Sequence, residues 1–297
     1  MRFAMLLVCA AGISAETTAC SNDGVDGSDG SDAGIDSMAT GPDANVGTNP
    51  CDMTGVWIAE QHVTSTALST DQNTTTWYYY KIAQTGDKFT VMDQLDCGLV
   101  VDGTVTVTLA DATLEALATQ EFAGMGRTGT FKASADGQHC DFAFDRMYNV
   151  RGADKAMYLT NTWKVGDPPK PLSMFTALPT APPGMQDWDK DNMDGITLLA
   201  GGLGNRFVAQ RDYNEHAGTV AKFASQFGGK GVIVVKWDSQ EGISDQTSPI
   251  LRSTATPKGD GWARYARADT TLKMGTGAHA ALDTCRNVQQ LAKSAWK

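Results

Sequence analysis

Four aspartates stand closest to a recognisable chemistry: Asp187, Asp189, Asp191 and Asp194, in the pattern Asp-x-Asp-x-Asp-x-x-Asp-Gly. Carboxylates at alternate positions of a tight loop converge on one point. A hard cation such as calcium needs six to eight oxygens at close range, and such a loop supplies them. The ion would be structural, stiffening a junction. An acidic linker without an ion is the competing reading. Glu60 and His62 form a second pair, on one face of a strand, where a lone acid and histidine usually mark surface. The four histidines, His62, His139, His216 and His279, are scattered singly, and no CxxC supports zinc. No Gly-x-Ser-x-Gly, P-loop, His-Glu-x-x-His or dinucleotide fingerprint is present. Carboxylates are numerous enough for glycoside hydrolysis, but nothing selects two of them.

The aspartate stretch resembles EF-hand loops and the Asp-rich loops of thrombospondin type 3 and dockerin repeats. It departs from the EF-hand at two places. Asn192 holds the turn position, and Leu198 stands where the bidentate Glu belongs. Asp212 or Glu215 would then complete the shell from elsewhere.

The elements around these residues are mostly strands. Residues 51–176 carry β-branched and aromatic runs separated by turn pairs such as Gly86-Asp87 and Asp136-Gly137. A helix is expected over residues 111–122. Three prolines and an acidic cluster mark a break at 177–195. Residues 196–297 resume with strands around 196–200, 206–210, 232–237 and 262–272. Two helical stripes follow the same logic. Val220, Phe223, Ala224 and Phe227 form one, ended by Gly228; Leu282, Cys285, Val288, Leu291 and Ala292 form the other. The fold class is therefore mainly β (α+β): a barrel or sandwich lobe, an acidic hinge, and a second β-rich lobe with two helices. Gly201 to Gly204 reads as a hairpin loop rather than a phosphate cradle.

Gly55-Val56-Trp57 resembles the Gly-x-Trp opening of lipocalins. That resemblance covers residues 51–176 at most, and the family's later Thr-Asp-Tyr element is absent. It implies a barrel whose Trp57 closes one end and whose mouth takes a small apolar ligand, with Trp77, Tyr79 and Phe144 as further aromatic lining.

The first 19 residues read as a signal peptide: Arg2, then an uncharged apolar stretch to Ala15. Thr17-Thr18-Ala19-Cys20 resembles a bacterial lipobox, which implies lipidation of Cys20 and a membrane anchor. Ser21 after it implies the outer membrane. Cleavage near Ala15 or Ala19 and release as a soluble secreted or periplasmic protein is the alternative. Residues 20–50 form a tether with no aromatic or basic residue, six Gly and six Asp, too polar to offset its ordering entropy. Leader, tether and Asp loop together resemble secreted lipoproteins of myxobacterial type. In an exported protein Cys51, Cys97, Cys140 and Cys285 imply two disulfides. The favoured pairing is Cys97–Cys140 and Cys51–Cys285.

The chain has 297 residues and a formal net charge of -10. That acidity is a poor fit to nucleic acid. It is uneven, because residues 196–297 carry 13 bases against 8 acids. Complementary lobes would explain this. A basic face for an anionic ligand, centred on Arg264, Tyr265 and Arg267, is the sharper reading. The functional expectation is a non-catalytic surface or ligand-binding lipoprotein. A secreted hydrolase acting on an envelope or extracellular polymer, and a purely structural envelope protein, are the alternatives.

Overall fold

Along the first strand, Gly55–Ala67, odd-numbered side chains enter one core and even-numbered ones the other side. Trp57, Ala59 and Val63 join a large aromatic cluster, while Ile58 joins a second cluster behind the sheet. This period of two is what a pleated strand imposes. The wall is thus buried on both faces here.

A computed structural model describes residues 49–67, 69–159, 184–201, 204–222, 224–245 and 256–296. The leader, residues 20–48 of the tether with Cys20, and residues 177–183 of the break, which carry its three prolines, lie outside them. Among the described residues there are twelve strands: β1 (Gly55–Ala67), β2 (Thr70–Thr85), β3 (Lys88–Asp102), β4 (Val107–Leu109), β5 (Arg127–Ala133), β6 (His139–Arg151), β7 (Ile196–Ala200), β8 (Gly204–Ala221), β9 (Gln226–Gly228), β10 (Ile233–Asp245), β11 (Thr256–Pro257) and β12 (Gly261–Arg267). Three helices accompany them: α1 (Asp111–Gln120), α2 (Lys155–Leu159) and α3 (Ala280–Ala295). The mainly β class predicted from the strand and turn signals is what the chain adopts.

Hydrogen-bonded neighbours close a ring. β1 pairs with β2, β2 with β3, β3 with β5, β5 with β6, β6 with β8, β8 with β10, β10 with β12, and β12 returns to β1. Every pairing is antiparallel, and the eight strands follow chain order around the ring. This is an up-and-down barrel, a closure that removes exposed sheet edges. Strands from both sides of the Pro-rich break share its wall and its interior, so the segments expected as separate lobes form one body.

The wall divides on one side. β5 pairs with β3 only at Lys88–Val91. Higher up, β4 pairs with β3 at Val101, β7 pairs with β4, and β7 continues along the β8 edge that β6 leaves at Gln210. β5–β6 therefore close the lower belt and β4–β7 the upper one. α1 sits at the division: Leu114 packs in the outer cluster, Leu117 packs with Trp188, Ile196 and Val208, and Phe122 just after the helix reaches the inner core.

The lower interior is filled with rings. Phe89, Phe142, Phe144, Phe227 and Tyr265 meet at centroid distances of 5.0–6.2 Å, several edge-to-face. Each such ring removes roughly 150–250 Å² from water. Trp57 closes this end. Its indole N–H donates to Met53 O at 2.9 Å, and the Arg267 guanidinium lies 5.0 Å from its ring while donating to Asp52 O at 2.9 Å. Gly55 is required two residues earlier. Its φ is +130°, and a Cβ there would lie 2.6 Å from Asp269 Oδ1, which accepts the Val56 N–H.

Four corrections follow from the strand alternation. The disulfides are Cys51–Cys140 and Cys97–Cys285, not the expected pairing. Cys140 points into the barrel beside the buried Cys51, whereas Cys97 points outward to α3, so Cys97 and Cys140 lie on opposite faces of the wall. The stripe Val220 to Phe227 is not a helix. Val220 ends β8, Phe227 sits in β9, and both enter the aromatic core from strands. The C-terminal stripe does form α3, with Cys285 fully buried. Arg264, Tyr265 and Arg267 do not share a basic face. Tyr265 is buried inside, Arg264 pairs with Glu60 at 2.6 Å outside, and Arg267 is committed to Trp57 and Asp52. Glu60 and His62 are not a free surface pair. They lie 2.5 Å apart, with Trp77 Nε1 also donating to Glu60 and Trp262 stacked on His62 at 3.9 Å.

The Cys51–Cys140 bridge ties the lead-in that carries the Trp57 cap to β6. Replacing both cysteines by Ala is expected to cost about 2–5 kcal/mol of unfolding free energy in denaturant titrations of the oxidised protein. A loss below ~1 kcal/mol would show that the cap holds without the bridge.

Candidate functional site

Above the aromatic plug the interior turns polar. On β6 the inward positions change from Cys140, Phe142 and Phe144 to Met147, Asn149 and Arg151. A bulge between Phe144 and Met147 keeps them all facing inward despite the odd spacing. On β8 the inward residues are His216, Asn214 and Asp212, and β3 contributes Asp96 opposite Tyr78. At the divided wall these groups meet.

Arg151 is their centre. Its guanidinium pairs with Asp212 from β8, with Asp96 from β3 at 3.2 Å, and with Glu121 from the end of α1 at 2.6 Å. Arg151, Asp96 and Glu121 side chains are at most 5% exposed, and Asp212 is 12% exposed. Asp96 also accepts the Gly98 N–H at 2.8 Å, and Asp212 accepts from Asn149 Nδ2 at 3.0 Å. Three carboxyls against one guanidinium leave an excess of negative charge in a dry place. Burial, followed by the negative charges of Asp96 and Asp212, pushes the Glu121 carboxyl well above the usual range, so it is held as the neutral acid. Burial also raises Asp212, against the opposing pull of Arg151. The second interior guanidinium, Arg127, lies 4.1 Å from the Phe144 ring centre and donates to Asn214 Oδ1 at 2.7 Å.

Below this level His216 is buried between Tyr265 Oη and Gln61 Oε1, the latter at 3.0 Å. Burial, reinforced by the Arg127 charge, holds its pKa well below the ordinary value, so it is neutral.

A cavity of about 160 Å³ opens between this floor and the mouth. Its wall is rich in amides and hydroxyls: Gln61, Gln72, Gln210, Asn214, Ser65, Thr74 and Thr76. Between them Val63, Leu99, Val101, Val107, Ile196, Leu198, Tyr78 and Trp237 supply a comparable apolar surface, and Arg151, Arg206 and Asp212 bring charge. The Trp237 indole N–H is buried without a hydrogen-bond partner. Of the three carboxyls only Asp212 reaches the cavity, and Arg151 and Asn149 already hold it. Among the described side chains no carboxylate pair therefore converges on this space.

None of the four aromatic residues expected to bind ligand lines this cavity. Trp57 and Phe144 belong to the filled lower core, and Trp77 and Tyr79 point outward beneath α3. Alternation decides this: in Trp77-Tyr78-Tyr79-Tyr80 only Tyr78 and Tyr80 face inward.

The aspartate loop lies outside the barrel, between α1 and β7. Single oxygens of Asp187, Asp189 and Asp191 all lie within 4.8 Å of one another, and Asp194 does not join them. Asp187 accepts the backbone N–H groups of Asp191 at 3.1 Å and Asn192 at 2.8 Å. Lys190 and Asn192 take the left-handed conformation, at φ 58° and 71°. Asn192 thus fills the turn position that Gly holds in the related loops. Asp212 and Glu215 are engaged elsewhere, with Arg151 and Arg146.

No family model, no curated protein and no solved structure matches this chain.

The charge cluster predicts opposite outcomes for two substitutions. Arg151→Met leaves buried carboxyls without their counter-ion and is expected to cost about 3–5 kcal/mol or prevent folding. Glu121→Gln mimics the neutral acid. In the native protein the folded state keeps a proton that the unfolded chain releases above pH ~4.5, so stability falls as pH rises from there towards the raised folded pKa. The variant should match wild type near pH 4 and gain on it by up to about 1.4 kcal/mol per pH unit through that window. Parallel unfolding curves from pH 4 to 8 check this, and equal pH slopes would contradict it.

Proposed function

We propose that the chain is an exported, non-catalytic binding protein that holds a small polar ligand in the mouth of its barrel. The observation carrying this reading is the cavity itself: a partly open space at the mouth of an eight-stranded ring, walled by amides and hydroxyls interleaved with aliphatic side chains, with one buried indole N–H lacking an acceptor. Eight strands enclose just enough room for side chains or one small ligand, as lipocalin barrels do. Here the lower half is filled by aromatic rings, so the ligand space is confined to the upper half. At about 160 Å³ it is smaller than the ~300–1,000 Å³ of drug-sized pockets.

The amides and hydroxyls set among aliphatic side chains favour a small ligand that has several hydroxyl or amide groups and some apolar surface, such as a monosaccharide or amino acid. An apolar ligand would strip water from those groups without replacing its hydrogen bonds, at a cost of about 1–3 kcal/mol for each group left unpaired. The likeness of Gly55-Val56-Trp57 to the lipocalin opening fits the barrel reading, with a polar rather than an apolar ligand. Two disulfides fit an oxidising compartment. Together with the lipobox-like Cys20 and the acidic tether, they favour a body held off a membrane on a stalk. Among the described side chains the cavity holds a single carboxylate, Asp212, already engaged by Arg151 and Asn149, which disfavours the hydrolase alternative.

A thermal-shift and calorimetric panel of monosaccharides, amino acids and a fluorescent fatty acid tests this. A polar member should bind, and Trp237→Phe, which keeps the ring and removes the N–H, should weaken it by about tenfold, as expected for one lost hydrogen bond. Tight binding of the fatty acid, with none of the polar compounds, would overturn the reading.

A further inference from the structure

We propose that Asp187, Asp189 and Asp191 bind a calcium ion that fastens their loop to α1 and β7, the elements beside the barrel mouth. Oxygens that share one ion at a calcium–oxygen distance of about 2.4 Å lie at most about 4.8 Å apart, and these three meet that condition. The donor set is oxygen alone, which suits a hard cation and not zinc or copper.

Asp189 supplies the second, independent observation. The residue is 8% exposed, and its Oδ2 accepts from Thr113 Oγ1 at 2.6 Å and from the Thr197 N–H at 2.8 Å. Its Oδ1 is buried and accepts no hydrogen bond. A carboxylate oxygen sealed from water without a donor is costly unless a cation meets it. Among the described residues no Lys or Arg pairs with any of the three aspartates, so none of them supplies a counter-charge. An ion satisfies both needs at once.

The other bonds say what the ion would do. Thr113 stands on α1 and Thr197 on β7, and Asp191 also accepts from Thr197 Oγ1 at 2.6 Å. β7 carries Ile196 and Leu198 into the cavity wall. Calcium would therefore clamp the upper belt where it bridges β3 and β8. With Leu198 in place of a bidentate Glu, the affinity should fall in the range of extracellular modules, roughly 10⁻⁴–10⁻³ M.

Terbium is the probe, because Trp188 lies within the loop and can sensitise its luminescence. Terbium added to the full mature chain should give a saturable signal that calcium displaces. Asp187→Asn and Asp189→Asn should each reduce affinity at least tenfold, while near-ultraviolet circular dichroism confirms that both variants remain folded. Asp191→Asn is the substitute if Asp189→Asn fails to fold. Calcium at ten times its dissociation constant should raise the melting temperature by about 3–6 °C in the native chain and not in the variants. No saturable signal, or a signal and thermal shift unchanged in folded variants, would overturn the proposal.

Discussion

Arg151 is the group on which the upper half of the barrel depends. Below it the wall is continuous, from β3 through β5 and β6 to β8. At its level β3 has left β5, and nothing pairs β3 to β6 through the backbone. The guanidinium spans that opening, reaching β3 through Asp96, α1 through Glu121 and β8 through Asp212. A planar group with five donors can serve three carboxyls on three elements, which a lysine ammonium could not do with the same fixed geometry. Placing this cluster inside the barrel brings a further constraint. Buried charges are costly unless polar neighbours meet them, so adjacent positions become polar too. Asn149, Asn214 and Gln61 continue that pattern towards the cavity.

Sequence, fold and site are therefore joined through one change along the barrel axis. Aromatic residues at alternate positions of β1, β2, β5, β6 and β12 make a solid lower core. It is closed by Trp57 and locked by the Cys51–Cys140 bridge. The same strands, carried further, turn amide, hydroxyl and charged groups inward. Ligand space arises only where rings stop filling the barrel. α3 contributes from outside: its apolar stripe covers β1, β2 and β3, and Cys97–Cys285 pins it there. The outer cluster keeps the wall rigid without entering the cavity.

Much of this was legible from residues alone. Turn pairs and β-branched runs located the strands, the Leu114–Leu117 spacing located α1, and the period of Leu282, Cys285 and Val288 located α3. The site was harder to read, for identifiable reasons. Asp96 sits beside a cysteine in an apolar run, and Glu121 ends a helix, so neither advertises its neighbours. The bulge between Phe144 and Met147 breaks the count of two, which hides that Arg151 shares the inward face of Phe142. Trp77 and Tyr79 were expected as aromatic lining, yet both face α3, and it is Tyr78 and Tyr80 that face inward. Val220, Ala224 and Phe227 have helical spacing by coincidence, because two strands and the segment between them deliver these residues to one core. The disulfide pairing depended on which face of the wall each cysteine occupies, and that follows only from register.

The central claim is that the barrel mouth is a polar, hydrated site created by the buried charges at its floor. High-resolution diffraction from crystals with and without pressurised xenon tests it most directly. A polar cavity should hold ordered water or a bound polar molecule hydrogen-bonded to the Trp237 indole N–H, and should take up no xenon. A dry cavity that admits xenon and leaves that N–H without a partner would contradict it.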